Sequence, residues 1–95
     1  MEHIYFDTVE LQLESANANF TSAKARADAS SKSVLREPML VAWYDGIQHE
    51  EHPSIPECQH KPGWIAYAEG HNGKLLVDVN NGQFQFIYAD IEDIE

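Results

Sequence analysis

The chain has 95 residues, a formal net charge of −10, and a composition that is 43% hydrophobic and 11% aromatic. That length makes one domain with one core, and the apolar share excludes a disordered chain. The charge excludes a general nucleic-acid binder, because phosphate affinity needs clustered Lys and Arg. The single cysteine, Cys58, excludes an internal disulfide framework.

No N-terminal apolar run reads as a signal peptide, and no stretch approaches the ~20 apolar residues of a membrane span. The expected setting is therefore the cytoplasm, without a membrane partner. The charge is uneven. Residues 1–18 carry four acids and no bases, whereas residues 19–37 carry Lys24, Arg26, Lys32 and Arg36 against Asp28 and Glu37. Such a basic segment on an acidic chain is expected to pair with acids of the same chain.

Residues 3–13 read as a strand: Val9, Leu11 and Leu13 alternate with Glu10, Gln12 and Glu14. Ile4 and Phe6 sit in the opposite phase, which a kink or bulge near Asp7-Thr8 would reconcile. A helix is predicted over 20–36, capped by Asn19 or Thr21. Phe20, Ala23, Ala27, Ser31 and Val34 form its apolar stripe, with small residues that let it lie close to a sheet. Lys32 and Arg36 complement its C-terminal dipole, and Pro38 stops it. Met39–Asp45 reads as a second strand, nearly continuous in apolar residues and so central or covered on both faces. Residues 46–62 form a long polar loop with Pro53, Pro56 and Pro62. A loop of that length in a small domain is functional or mobile.

Two Asn-Gly pairs follow, Asn72-Gly73 and Asn81-Gly82. Asn-Gly supplies the two positive φ angles of a type I′ hairpin turn. Strands over 64–71, 74–80 and 83–89 are therefore predicted as an antiparallel meander. Its register puts Val79 opposite Phe84, Val77 opposite Phe86, Leu75 opposite Tyr88, and Ala66 and Ala68 opposite Val79 and Val77. Ile65, Tyr67, Leu76 and Ile87 would share the other face. That is too much apolar surface for water, so residues 3–13, the long loop or a second subunit must cover it. The expected fold is α+β in two layers, β-α-β-β-β, with one helix on an antiparallel sheet. The last residues, 90–95, read as an acidic tail.

Pro38-Met-Leu-Val-Ala-Trp-Tyr-Asp45 and Lys61-Pro-Gly-Trp-Ile-Ala-Tyr-Ala-Glu69 come in order, followed by Asp78-Val-Asn-Asn-Gly82 and Phe86-Ile-Tyr88. With the helical Ala23-Lys-Ala-Arg-Ala27, this pattern resembles a family of small prokaryotic proteins of unknown function. The resemblance covers most of the chain from about residue 19 onward. It implies a compact α+β domain, and it carries no catalytic residues with it.

Four arrangements could bear chemistry. His49, His52, Cys58 and His60 offer nitrogen and sulfur ligands within one loop, enough for a tetrahedral zinc site, although the spacing matches no standard zinc module. Glu50, Glu51 or Glu57 would give an oxygen-rich variant for harder or redox-active metals. Cys58 with His60 or His71 would make a nucleophile and base, but the neighbouring acids raise a thiol pKa. Glu69 and Asp78 would lie near each other across the first hairpin, with Tyr67 between them. Trp43, Tyr44, Trp64, Tyr67 and Tyr88 could line a ligand pocket, although aromatics in a domain of this size mostly form core.

The expectation drawn from these residues is a non-catalytic binding or assembly module. It would form a homo-oligomer, a dimer first, through Ile65, Tyr67, Leu76 and Ile87. A metal-binding protein built on the 49–60 loop is the alternative, with zinc as its ion. A small-molecule enzyme with a site between that loop and the sheet is a third.

Overall fold

The computed structural model describes residues 6–56 and 60–93. Its elements are β1 (Asp7–Leu11), α1 (Phe20–Val34), β2 (Pro38–Asp45), β3 (Glu50–His52), α2 (Gly63–Gly70), β4 (Leu75–Val79) and β5 (Phe84–Asp90). Single 3-10 turns lie at Ser15–Asn17 and Ile91–Asp93. The fold is α+β, as the sequence indicates. Its sheet is five-stranded and mixed, in the order β1-β4-β5-β2-β3. Only β1 and β4 run parallel; the other neighbours are antiparallel.

Asn81-Gly82 makes the expected turn between β4 and β5. Asn81 has φ 54° and Gly82 φ 89°, and the Gln83 N–H donates to the Asn80 carbonyl at 3.2 Å. The register follows: Val79 pairs with Phe84, Val77 with Phe86 and Leu75 with Tyr88. The predicted α1 is likewise present, with the Asn19 side chain accepting from the Ser22 N–H at 2.8 Å. Residues 3–5 of the expected first strand lie outside the described residues; at Asp7-Thr8, where the sequence suggests a kink or bulge, β1 pairs with β4 without a register slip from Asp7 to Leu11.

Residues 63–70 are a helix, not the first strand of a meander, so the pairing of Ala66 and Ala68 with β4 does not exist. The segment supports both periods. Trp64, Ala66 and Ala68 alternate with Ile65 and Tyr67, but Trp64, Ile65 and Ala68 also form one helical stripe, and they are the buried side chains. Two alanines and a glutamate tip the local preference toward helix. Pro62 precedes the first turn, where its missing N–H costs nothing.

The Asn72-Gly73 pair ends this helix. Asn72 takes the left-handed conformation, φ 64°, and the N–H groups of His71 and Gly73 donate to the Ala68 carbonyl at 3.2 and 2.8 Å. A Cβ at Gly73 would lie 2.8 Å from the Ala68 carbonyl oxygen and 3.0 Å from both Ile87 Cγ2 and Phe6 Cε1. Glycine therefore lets the chain pass from α2 into β4 in direct contact with the core.

The helices take opposite faces, giving three layers instead of the expected two. On one face Ala23 and Ala27 of α1 pack with Leu75, Val77, Val79, Phe84, Phe86 and Tyr88. On the other, Trp64, Ile65 and Ala68 of α2 pack with Phe6, Ala42, Leu76 and Ile87. The face that had to be covered is thus covered by the chain's own second helix. Ile65, Leu76 and Ile87 are buried there and Tyr67 is half-buried. Ile65, Leu76 and Ile87 are therefore closed off by the chain itself, whereas Tyr67 stays partly accessible.

Polar links fix α1 on its face. The Tyr88 hydroxyl donates to Asp28 Oδ1 at 2.6 Å, and Lys24 Nζ lies 2.8 Å from Asp28 Oδ2. Burial opposes the Asp28 charge, but the hydrogen bonds from Lys24 and Tyr88 outweigh it and hold the carboxyl below its usual range. Burial, reinforced by Asp28, pushes Tyr88 far above an ordinary phenol. Asp90 accepts from the N–H groups of Arg36, Glu37 and Glu92 at 3.0, 3.1 and 3.1 Å, tying the α1–β2 connection to the end of β5. Burial raises its pKa less than these donors lower it. Of the basic segment, Lys24 pairs with Asp28 and Arg36 with Glu92 within the chain.

Two outcomes follow. Tyr88→Phe should lower stability by about 1–2 kcal/mol, read from urea melts at neutral pH. Because the folded-state pKa of Tyr88 is raised, its contribution is complete below the unfolded phenol value of about 10 and falls as pH rises beyond it. The variant should lack that share of the alkaline loss. Leu76→Glu places a carboxylate beneath α2 and should cost on the order of 3 kcal/mol, read as a large fall in melting temperature.

Candidate functional site

The C-terminal end of α2 brings together a tyrosine–histidine pair and a lysine–glutamate pair beside two grooves. Tyr67 and His71 are four residues apart, so they meet on one helical face. Their rings stack at 3.8 Å with an interplanar angle of 19°. His71 Nδ1 lies 2.8 Å from the Tyr67 carbonyl oxygen. A carbonyl only accepts, so Nδ1 carries the hydrogen, and in the neutral ring Nε2 is left as an outward acceptor. On the other flank, Lys61 precedes the helix and reaches along it to Glu69, with Nζ 2.6 Å from Oε1.

Two open grooves meet here. The polar one is lined by Lys61, Ala66, Glu69, Gly70, Asn72 and Gly73. The apolar one lies between α2 and the start of β2, lined by Met39, Leu40, Val41, Tyr67, His71 and the same Gly70 and Asn72. The shared residues make them one continuous surface around the end of the helix.

The loop singled out for metal is placed differently. His49 and His52 line a separate groove with Trp43, Glu50, Glu51 and Ser54. His52 stacks on Trp43 at 5.9 Å. His60 is exposed, has φ 68° and does not line that groove. Cys58 and Glu57 lie outside the described residues, and with Cys58 the proposed Cys–His pairs. Among the described residues no three His, Cys, Asp or Glu side chains are grouped so that they could hold an ion.

The carboxylate pair does not form. Glu69 sits on α2 with Lys61, whereas Asp78 sits on β4 and accepts from the Gly82 N–H. Nor do the aromatics make one pocket. Trp43 packs on Phe20 at 4.7 Å toward α1, and Tyr44 stacks on Trp64 at 5.7 Å toward α2. Tyr88 is committed to Asp28. A strand over 63–70 would make neither the Tyr67–His71 nor the Lys61–Glu69 contact. The spacing of four between Tyr67 and His71 was the available signal.

No described helix is long and apolar enough to cross a membrane. The chain belongs to a family described as a domain of unknown function (DUF5619), whose model matches residues 6–88. Among solved structures it is similar to AF1514 from Archeoglobus fulgidus DSM 4304, whose crystal structure is described as that of a novel protein. The TM-score is 0.75, with 22% sequence identity over 90% of this chain and 94% of that one. At that identity the likeness is one of fold. No curated protein matches the chain.

The Lys61–Glu69 pair is only partly shielded, with side chains 34% and 19% exposed. A double-mutant cycle with Lys61→Met and Glu69→Gln should give a coupling of about 0.5–1 kcal/mol that shrinks in molar salt.

Proposed function

We propose that the chain is a non-catalytic binding module whose ligand lies across the C-terminal end of α2. The observation that carries this reading is the meeting of a polar and an apolar groove at Gly70 and Asn72. A ligand with an apolar part and a polar part can use both at once, the first against Met39 and Tyr67, the second near Lys61, Glu69 and His71. Binding sites are commonly built this way, mostly apolar with a few placed polar groups.

Among the described residues, the titratable groups with shifted pKa values serve the fold. Asp28 and Asp90 are moved down and Tyr88 up, each away from neutrality, and all three sit in structural contacts away from the grooves. A general acid or base works best with its pKa near the working pH. These shifts lock each group in one protonation state.

A nuclear magnetic resonance screen with small amphiphilic fragments tests the reading. Amide shifts should concentrate at residues 66–73 and 39–41, and Tyr67→Ala should weaken the best fragment about tenfold, or ~1.4 kcal/mol. Hits centred on the Trp43–Ser54 groove, or no hits, would overturn it.

A second reading, metal binding by the 49–60 loop, keeps one support: His49 and His52 share a groove with Glu50 and Glu51. Calorimetric zinc titration decides it. Heat that vanishes in His52→Ala favours the metal, and an absence of heat dismisses it.

A further inference from the structure

Among the described residues, the sheet has open backbone edges at β1 and β3, and a third along part of β2. β3 pairs with β2 only at Trp43, Tyr44 and Asp45. Pro53, which follows β3, has no N–H to extend the ladder. Among the described residues, no strand pairs with Pro38–Ala42 on the side away from β5. The three edges differ in composition. β1 carries Asp7 and Glu10, and β3 carries Glu50 and Glu51, charges that discourage another strand from docking. The open stretch of β2 is Met39-Leu40-Val41-Ala42, with no charge and with Met39 exposed.

This uncharged edge is also one wall of the apolar groove. Leu40 packs toward the α1 face and Val41 toward the α2 face, yet Met39, Leu40 and Val41 all line the groove. Consecutive residues pointing to opposite faces share one wall only if their backbone forms it. The β2–β5 register slips between Leu40 and Ala42, so Val41 is the extra residue of a bulge and has no Cα partner on β5. The opposite wall is α2, through Tyr67, Gly70 and His71.

The geometry points to an extended peptide segment of another protein as the ligand, added as a strand to the Met39–Val41 edge. The inference rests on the binding reading above and narrows its ligand to one class. Unpaired strand N–H and C=O groups are best satisfied by another extended backbone, and an adjacent groove supplies the side-chain pocket. About three residues of the peptide, roughly 10 Å of strand, would pair with the edge. One apolar side chain would enter between Met39 and Tyr67. A Lys or Arg of the peptide would lie at the C-terminal end of α2, where the helix dipole is negative and His71 Nε2 is an acceptor. The net charge of −10 favours such a basic partner at longer range.

The test is a selection of random dodecapeptides displayed on phage against the full chain. The enriched consensus is then synthesised with N-methyl groups on one or the other alternate set of amides and titrated into isotopically labelled protein. Apolar residues at alternate positions with at least one Lys or Arg are expected. One methylated set should bind about tenfold more weakly or worse, the other as the parent does. Amide shifts should cover Met39–Ala42 and Tyr67–Asn72. Met39→Glu, an exposed position checked by its melting temperature, should weaken binding about tenfold.

Indifference to N-methylation, or shifts confined to the Lys61 and Glu69 side, would overturn strand addition and leave the binding surface standing. An absence of enriched peptides while amphiphilic fragments still bind would do the same. Shifts of the Met39–Ala42 amides on simple dilution of the protein would assign the edge to a second copy and overturn the peptide. Binding elsewhere on the chain would overturn both readings.

Discussion

The β4–β5 hairpin is apolar on both faces, and the rest of the fold answers that condition. Leu75, Val77 and Val79 point one way with Phe84, Phe86 and Tyr88, while Leu76 and Ile87 point the other, and all are buried. A strand pair of this kind has to lie centrally and be covered twice. Each strand also has an outer edge to satisfy, which β1 does for β4 and β2 does for β5. One short chain supplies two helices and two flanking strands around a single hairpin.

Coverage on the α1 side depends on small residues. Ala23, Ala27 and Ser31 are 0%, 0% and 1% exposed, so the helix backbone comes close to the sheet and leaves its charged side chains outside. Apolar contact alone would let such a helix slide. Phe20 anchors the start of α1 against Trp43 and Phe86, with ring centroids 4.7 and 5.5 Å away. Further along, the Tyr88–Asp28 hydrogen bond adds a directional constraint that sliding would break. Polar contacts reaching into a core have their best-attested role in this kind of specification, and this one is partly buried.

What was legible in the sequence was local. The Asn81-Gly82 turn, the Asn19 cap and the apolar run of β2 each follow from neighbouring residues. β1 beside β4 does not, because parallel pairing between distant segments leaves no local signature. β3 is Glu50-Glu51-His52, an edge strand without an apolar alternation to reveal it. Residues 63–70 fit two periods equally, and Asn72-Gly73 offers left-handed geometry to a hairpin and a helix end alike. The strand reading then had consequences for chemistry. It brings Glu69 near Asp78 across a hairpin and suggests paired carboxylates, whereas the helix turns Glu69 toward Lys61 and brings Tyr67 against His71. It also treated Ile65 and Tyr67 as surface needing a cover, when they belong to the helix that does the covering.

The open surface at the end of α2 follows from a mismatch of lengths. β2 and α2 have eight residues each. An extended strand of that size spans roughly 26 Å, a helix only about 12 Å. α2 packs closely on one end of β2 and at the other end is separated from it by a groove. Its first turn lies at the C-terminal half of the strand, where Trp64 stacks on Tyr44. There β3 also closes the edge, at Trp43, Tyr44 and Asp45. Both protections fall on the same half, and at the other half Met39, Leu40 and Val41 form one wall of a groove while Leu40 and Val41 also pack inward. The loop rich in histidine and glutamate lies beside the protected half, and its groove is lined by Trp43 and mostly exposed polar side chains. An apolar backbone edge next to a helix end is the less conspicuous feature in the sequence, yet it is the one the packing leaves unfilled.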